Sequence, residues 1–310
     1  GDTWPWKEAW GRVPEPTPAP VASCSIGLHD EPGGRWMVDN GLMGCCLVHA
    51  VVQRDPVGLD YRHLSDKGIR VILRLNWGYV GPGTLPPAEH AGAWVAAMIE
   101  TINNANGVWG VIIGNEVNNP IEWTGAYPSP SFIVTPDYYI GLYNNIRAGV
   151  SARLAPFSVD PYNVVAREFG QPGDPKTWAQ AVYAGISGFD FISLHAKTQT
   201  NDPTECWSEA RFSDAPLTGR YLHLRTVQDQ LSWVDLGTRP AFVTELNPQL
   251  RSDGALGWDP GNGEWVRQAV AYLKTQPIAG ALFYRFELAG DQAGFGLANK
   301  PENLEAIRWA

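Results

Sequence analysis

Two apolar runs in this sequence stop at a glutamate. Gly110-Val111-Ile112-Ile113-Gly114 gives way to Asn115-Glu116, and Ala241-Phe242-Val243-Thr244 gives way to Glu245. A carboxyl group is a nucleophile, a base or an acid according to its protonation, so two of them facing each other can break and remake a bond unaided. One must be ionised while the other is protonated, which demands unlike surroundings. A third run, Val71-Ile72-Leu73-Arg74-Leu75-Asn76-Trp77, places Arg74 and Asn76 on one face of a strand. If Asn76 faces a substrate, Arg74 lies just below it and needs a carboxylate partner. A catalytic glutamate would serve and would be kept ionised by the guanidinium; a different acid is the alternative. Three of the six histidines, His29, His49 and His195, also close such runs.

These residues need elements that bring their ends together. From Ser23 onward, short β-branched runs alternate with amphipathic stretches, the pattern of a parallel sheet with crossover helices. Eight strands are expected: Ser25–Leu28, Cys45–Val48, Val71–Leu75, Val108–Ile113, Ala155–Val159, Phe189–Leu194, Ala241–Thr244 and Ala281–Phe286. Four helices are expected over Ala88–Asn104, Thr135–Arg153, Asn262–Gln276 and Glu302–Trp309, the second opened by the cap Thr135-Pro136-Asp137. The expected fold is a (β/α)8 TIM barrel over residues 23–310 with long loops after its strands, preceded by a Pro- and Trp-rich arm over 1–22. A doubly wound open sheet is the alternative. Against it, no Gly-rich phosphate loop follows the first strand, and Gly81-Pro82-Gly83 comes after the third with a proline inside it. In a barrel, strands four and seven lie on nearly opposite sides, so Glu116 and Glu245 face each other across the mouth. Carboxyl groups about 5–5.5 Å apart are what a retaining glycosidase uses.

The pair Asn115-Glu116 on strand four, with Glu245 on strand seven, resembles the clan A (4/7 superfamily) retaining glycoside hydrolases, over the whole span from Ser23 to Ala310. The resemblance implies cleavage of a β-linked glycan by double displacement without a cofactor. It makes Glu116 the acid/base, Glu245 the nucleophile and Asn115 the partner of a sugar 2-hydroxyl. It also implies that His195 holds the nucleophile or a sugar hydroxyl. Strand eight departs from the clan's frequent tryptophan and offers Tyr284 or Phe286 as the floor of the central subsite. The alternatives are a barrel that binds carbohydrate without cutting it, and a transglycosylase using the same residues.

Composition narrows the substrate. Net charge is −9, which opposes a nucleic-acid partner and suits a neutral one. Fourteen tryptophans are an excess, and an indole face stacks on the C–H face of a sugar. Trp77, Trp123, Trp207 and Trp258 fall in the expected mouth loops and are the stacking candidates, spread as for an extended, endo-type groove. Asn76, Arg74, His29, His49 and Tyr284 complete the expected substrate-binding set. Trp94, Trp178, Trp233, Trp265 and Trp309 fall in helices and are expected in the core.

Cys24, Cys45, Cys46 and Cys206 form no C-x-x-C pattern, so a zinc site is not expected; they leave room for one disulfide or for free buried thiols. No metal, nucleotide or serine-hydrolase motif is present, and no apolar run reaches the roughly 18–20 residues of a membrane span. The expected partner is an oligo- or polysaccharide, with no membrane insertion, and the expected state is a monomer. The chain opens on Gly1-Asp2 with no leader, as a processed secreted protein would or a trimmed one would. Since polymeric glycans stay outside cells, a secreted or cell-surface location is expected.

Overall fold

The computed structural model describes residues 25–287 and 290–310. The Pro- and Trp-rich arm, with Trp4, Trp6 and Trp10, lies outside the described residues, as does Cys24. Eight strands form one sheet: β1 Ser25–His29, β2 Gly44–Val51, β3 Ile69–Asn76, β4 Gly110–Ile113, β5 Leu154–Pro156, β6 Ile192–Thr200, β7 Ala241–Leu250 and β8 Gly280–Phe283. Their order is β5-β4-β3-β2-β1-β8-β7-β6, every paired neighbour is parallel, and β1 pairs with β8. That is the cyclic order of a (β/α)8 barrel opened between β5 and β6, and it excludes the doubly wound alternative. Backbone and side-chain hydrogen bonds bridge the opening. The backbone N–H of Asp190 donates to the carbonyl of Leu154 (2.8 Å), the N–H of Leu154 donates to Asp190 Oδ2 (2.9 Å), and the Ser158 and Ser193 hydroxyls meet inside.

The crossover helices form for the reasons their sequences give. In α4 (Pro136–Gly149) the Thr135 hydroxyl accepts the Tyr138 N–H at 3.1 Å, with proline at the first position. In α7 (Gly263–Leu273) Asn262 caps the N–H of Trp265, and Trp265, Val266, Ala269 and Leu273 are buried against the sheet. The other helices are α1 Glu31–Asp39, α2 Arg62–Ser65, α3 Ala91–Asn104, α5 Pro175–Gly185, α6 Thr226–Leu231 and α8 Pro301–Arg308.

The core divides in two. One part lies between sheet and helices and holds Val71, Leu73, Leu75, Val111 and Ile113 with Trp94, Trp178 and Trp265. The other fills the barrel: Cys45, Leu47, Ile72, Ile112, Ala155, Phe191, Phe242 and Leu282, with Trp109 against them. Trp109 lies at the amino ends of the strands, packed on Phe191 and Phe242 with the Arg70 and Arg153 guanidinium groups near its ring. Cys45, Cys46 and Cys206 are buried free thiols, and burial pushes Cys45 up to about 11. No helix among the described residues is long and apolar enough to cross a membrane.

Three local features aim the site. After β4, Gly114 (φ 82°) and Glu116 (φ 39°) are both left-handed, and this turn presents Asn115 and Glu116 together where a straight strand would send them to opposite faces. In β7 the register slips at Thr244–Glu245 relative to both neighbours, a bulge that turns both side chains inward. Finally, Gly81-Pro82-Gly83 joins two loops. A Cβ on Gly83 would sit 2.6 Å from the Thr124 nitrogen, and the Thr84 N–H donates to the Glu122 carbonyl at 2.8 Å. Glycine is needed there for close approach of two backbones.

Candidate active site

The carboxyl ends of the strands surround a cavity of about 420 Å³, lined by His29, Asp30, His49, Arg74, Tyr79, Asn115, Glu116, Glu122, His195, Lys197, Glu245, Asn247, Gln249, Tyr284 and Arg285 among others. A larger hollow of about 820 Å³ at the amino ends has Arg70, Lys274 and Arg308 as its charged side chains and no acidic side chain. The chemistry therefore belongs to the mouth.

Glu116 and Glu245 each place an oxygen within 4.8 Å of the other and of a His195 ring nitrogen. His195 Nδ1 is hydrogen-bonded to Glu116 Oε1 at 2.7 Å and lies 3.6 Å from Glu245 Oε2. Gln230 Nε2 donates to the His195 backbone carbonyl at 2.8 Å, and the ring's Nε2 is buried without a partner. Arg74 Nη1 donates to Glu245 Oε1 (2.6 Å) and to Asn115 Oδ1 (2.7 Å). Burial pushes the Glu245 carboxyl up, but the charges of His195 and Arg74 and the bond from Arg74 outweigh it and hold the group down at about 2. Glu245 is thus ionised at neutral pH. The three potential ligands Glu116, His195 and Glu245 are close enough to hold a cation. The Arg74 guanidinium already supplies the positive charge there, and a metal ion would have to displace it from Glu245.

The layer beneath is polar and satisfied. Ser158, Ser193 and Thr244 exchange hydroxyl hydrogen bonds inside the barrel. His29 Nε2 lies 2.5 Å from the Thr244 carbonyl; burial holds this imidazole down at about 3, so it is neutral and donates. His29 is buried with its ring edge-on to Tyr284. Tyr284 lines the cavity where the sequence offered it, and its bond to Arg285 is cis; Phe286 packs on Trp36 instead. His49 lies at the mouth, 3.8 Å from Asp30 and edge-on to Tyr79.

The structure brings Glu116, Glu245, Asn115, Arg74, His195, His29, His49 and Tyr284 together, and separates others from them. Asn76 is fully buried and does not line the cavity. None of the four stacking candidates lines it either. Trp77 is buried and stacked on His90. Trp123 is buried, its indole N–H donating to the Val117 carbonyl (2.7 Å). Trp258 is buried against Trp265, donating to the Tyr284 carbonyl (2.8 Å). Trp207 is exposed, but on the outer side, bonded to Gln268 of α7. Each indole found a backbone or side-chain acceptor or a ring to pack on, which position in a loop does not reveal. Of the helical tryptophans, Trp94, Trp178, Trp233 and Trp265 are core and Trp309 is 77% exposed.

Sequence reasoning missed Asp30, Tyr79, Glu122, Lys197, Asn247, Gln249 and Arg285. The sixth strand was expected to end at Leu194 and the seventh at Thr244; both run on, and period two past the ends puts Lys197 beside His195, and Asn247 and Gln249 beside Glu245. Asp30 accepts from Arg285 Nε at 2.9 Å. Glu122 carried no signal beyond its place in the loop after β4.

No protein-family model matches this sequence, and no curated protein matches it. Solved structures do match. An endo-β-1,3-glucanase of family GH128 (subgroup II) from Sorangium cellulosum superposes with a TM-score of 0.57 at 15% identity, over 92% of this chain and 98% of the other. A GH5-4 broad-specificity endoglucanase from an uncultured bacterium gives 0.60 at 10% identity, over 93% of each chain. An endo-β-1,4-glucanase from Xanthomonas axonopodis pv. citri gives 0.54 at 13%, over 93% of this chain and all of the other. What the chain shares with these glucanases is the (β/α)8 barrel fold. At these identities the likeness is one of fold, and the roles of residues in this chain rest on its own geometry.

Proposed function

We propose that this protein is a retaining hydrolase of a β-linked glycan, with Glu245 as nucleophile and Glu116 as acid/base. One observation carries the reading: two carboxylates approach within 4.8 Å across the mouth in unlike surroundings, Glu245 paired with Arg74 and Glu116 hydrogen-bonded to His195. The spacing suits direct attack and leaves too little room for a water held between the carboxylates, as inversion requires.

In the first step a Glu245 oxygen bonds to the anomeric carbon while the bond to the leaving oxygen breaks and Glu116 gives that oxygen its proton. In the second, water bonds to the same carbon, Glu116 takes the water's proton, and the ester to Glu245 breaks. Arg74 keeps Glu245 anionic before attack. It also fixes Asn115, whose amide nitrogen then faces Glu122 (3.5 Å) at the cavity wall. The buried tryptophans remove one ground for an extended groove. Endo action is supported by the structural neighbours, which are endoglucanases, and a polymeric substrate keeps a secreted or cell-surface location within the proposal.

The test is a reducing-end assay against soluble and insoluble β-glucans and β-galactans, with Glu116→Gln beside the wild type and product sizes followed in time. Release of mixed oligosaccharides by the wild type and not by the variant is expected. Equal release by both would remove Glu116 from the mechanism.

A further inference from the structure

One corner of the cavity is built of polar atoms without partners. Among the described residues, the buried side-chain atoms lacking a hydrogen bond include Arg74 Nε, Tyr79 Oη (with Arg74 its nearest charged neighbour) and Glu122 Oε2 on the cavity wall, and, off the cavity, both amide atoms of Asn76. All come from β3, the loop after it and the loop after β4, the two loops that Gly83 and Thr84 join. Buried polar atoms are nearly always paired, and such a concentration in one wall calls for a function. Elsewhere on the wall Asp30 holds Arg285 and the Asn247 amide donates to the Pro248 carbonyl, and His195 Nε2 is the one other buried lining atom without a partner among the described residues.

The chemistry of the corner selects its ligand. Arg74 Nε donates, and a tyrosine hydroxyl both donates and accepts. An anion would meet Glu116 and Glu245; a cation would meet Arg74. A neutral group that both donates and accepts is left, and on a glycan that is a hydroxyl. Tyr79 and Glu122 line the cavity, so a sugar seated there lies against both side chains. We propose that Tyr79 and Glu122 are a specificity-determining pair that hydrogen-bonds one hydroxyl of the sugar seated beside Glu116. This rests on the reading that the cavity takes a glycan.

The state of Glu122 fits. Burial, then the charge of Glu116 and more weakly that of Glu245, push its carboxyl up to about 8, against the pull of Arg74 and the amide of Asn115. At neutral pH it is a neutral acid with a proton to donate.

The test is calorimetric titration of β-1,3-gluco-, β-1,4-gluco- and β-1,4-galacto-pentasaccharides, with monodeoxy analogues of whichever binds. Glu245→Gln is the background, so that nothing is cut. Tyr79→Phe and Glu122→Ala are each expected to weaken binding about tenfold, and to erase the penalty of one deoxy position while leaving the others. Glu122→Gln keeps the shape and a donor; it is expected to hold affinity at pH 6 and to lose the fall in affinity that the background shows above pH 8. Unchanged affinity in Tyr79→Phe and Glu122→Ala, or a loss spread evenly over all deoxy positions, would overturn the pair. Failure of all three probes to bind the background protein would overturn the glycan reading itself, and the pair with it.

Discussion

The two ends of the barrel interior are made by the same strands and obey opposite rules. Toward the amino ends, Ile72, Ile112, Phe191 and Phe242 close on Trp109 in an apolar plug. Two residues further along the same faces stand Arg74, Ser193 and Thr244, and then the charges of Glu116 and Glu245. The plug holds the strands at the spacing that lets an arginine from β3 reach a glutamate from β7. The mouth keeps ionisable groups where burial makes them costly: Arg74 offsets Glu245, His195 meets Glu116 and Arg285 meets Asp30, while the Tyr79–Glu122 corner holds polar atoms without partners. Stability is concentrated at one end and chemistry at the other.

That contrast is open to three cuts. The deepest is Arg74→Met, which leaves Glu245 buried beside Asn115 with its strongest hydrogen bond gone. The expected cost is about 3–5 kcal/mol of stability at pH 7 and a fall in kcat/KM of about 10²–10³-fold. The sign with pH follows from the depressed carboxyl. Held at about 2 in the folded chain against an ordinary 4.5, Glu245 contributes stability above pH 4.5 that is lost as pH falls toward 2. In Arg74→Met that contribution shrinks, and the acid limb of kcat/KM moves to higher pH. An unmoved acid limb would mean that Arg74 does not set the charge of Glu245.

Phe242→Ala cuts the other end. It removes a fully buried ring from the plug, at an expected cost of about 3–5 kcal/mol in denaturant unfolding, while kcat per folded molecule stays within about twofold. A large loss of kcat in protein that is still folded would show that the ends are not separable.

The smallest effect is expected from Glu122→Gln, and it has the opposite sign. With its carboxyl raised to about 8 from 4.5, folding takes up a proton between those values, so the group's contribution to stability is full below pH 4.5 and is lost as pH rises through 8. Glutamine has no such dependence. The melting temperature of the variant should gain on the wild type from pH 4.5 to pH 8. A constant difference across that range would place Glu122 in an environment no different from an exposed glutamate's.

The same contrast explains what the sequence disclosed. Apolar strands broken by Glu116 and Glu245 were visible because charge after a β-branched run is a sharp change, and Arg74 was placed under the mouth by period two alone. The inward turn of Glu245 was not visible: a strict alternation with Phe242 points Glu245 outward, and only the bulge at Thr244–Glu245 reverses it. Asn76 was given a sugar by the same period and is instead fully buried, away from the cavity. The tryptophans failed because an indole serves a core as well as a sugar, and which it does depends on acceptors such as the Val117 and Tyr284 carbonyls that only the folded chain supplies.

The central claim is that Glu116 and Glu245 act at retaining distance, and the anomer first released reports on it directly. Proton NMR of a β-glycan oligosaccharide during the first minutes of hydrolysis, before mutarotation, should show the β-anomer at the newly formed reducing end. First release of the α-anomer would mean that water attacks directly from the opposite face, and that Glu245 is not the nucleophile.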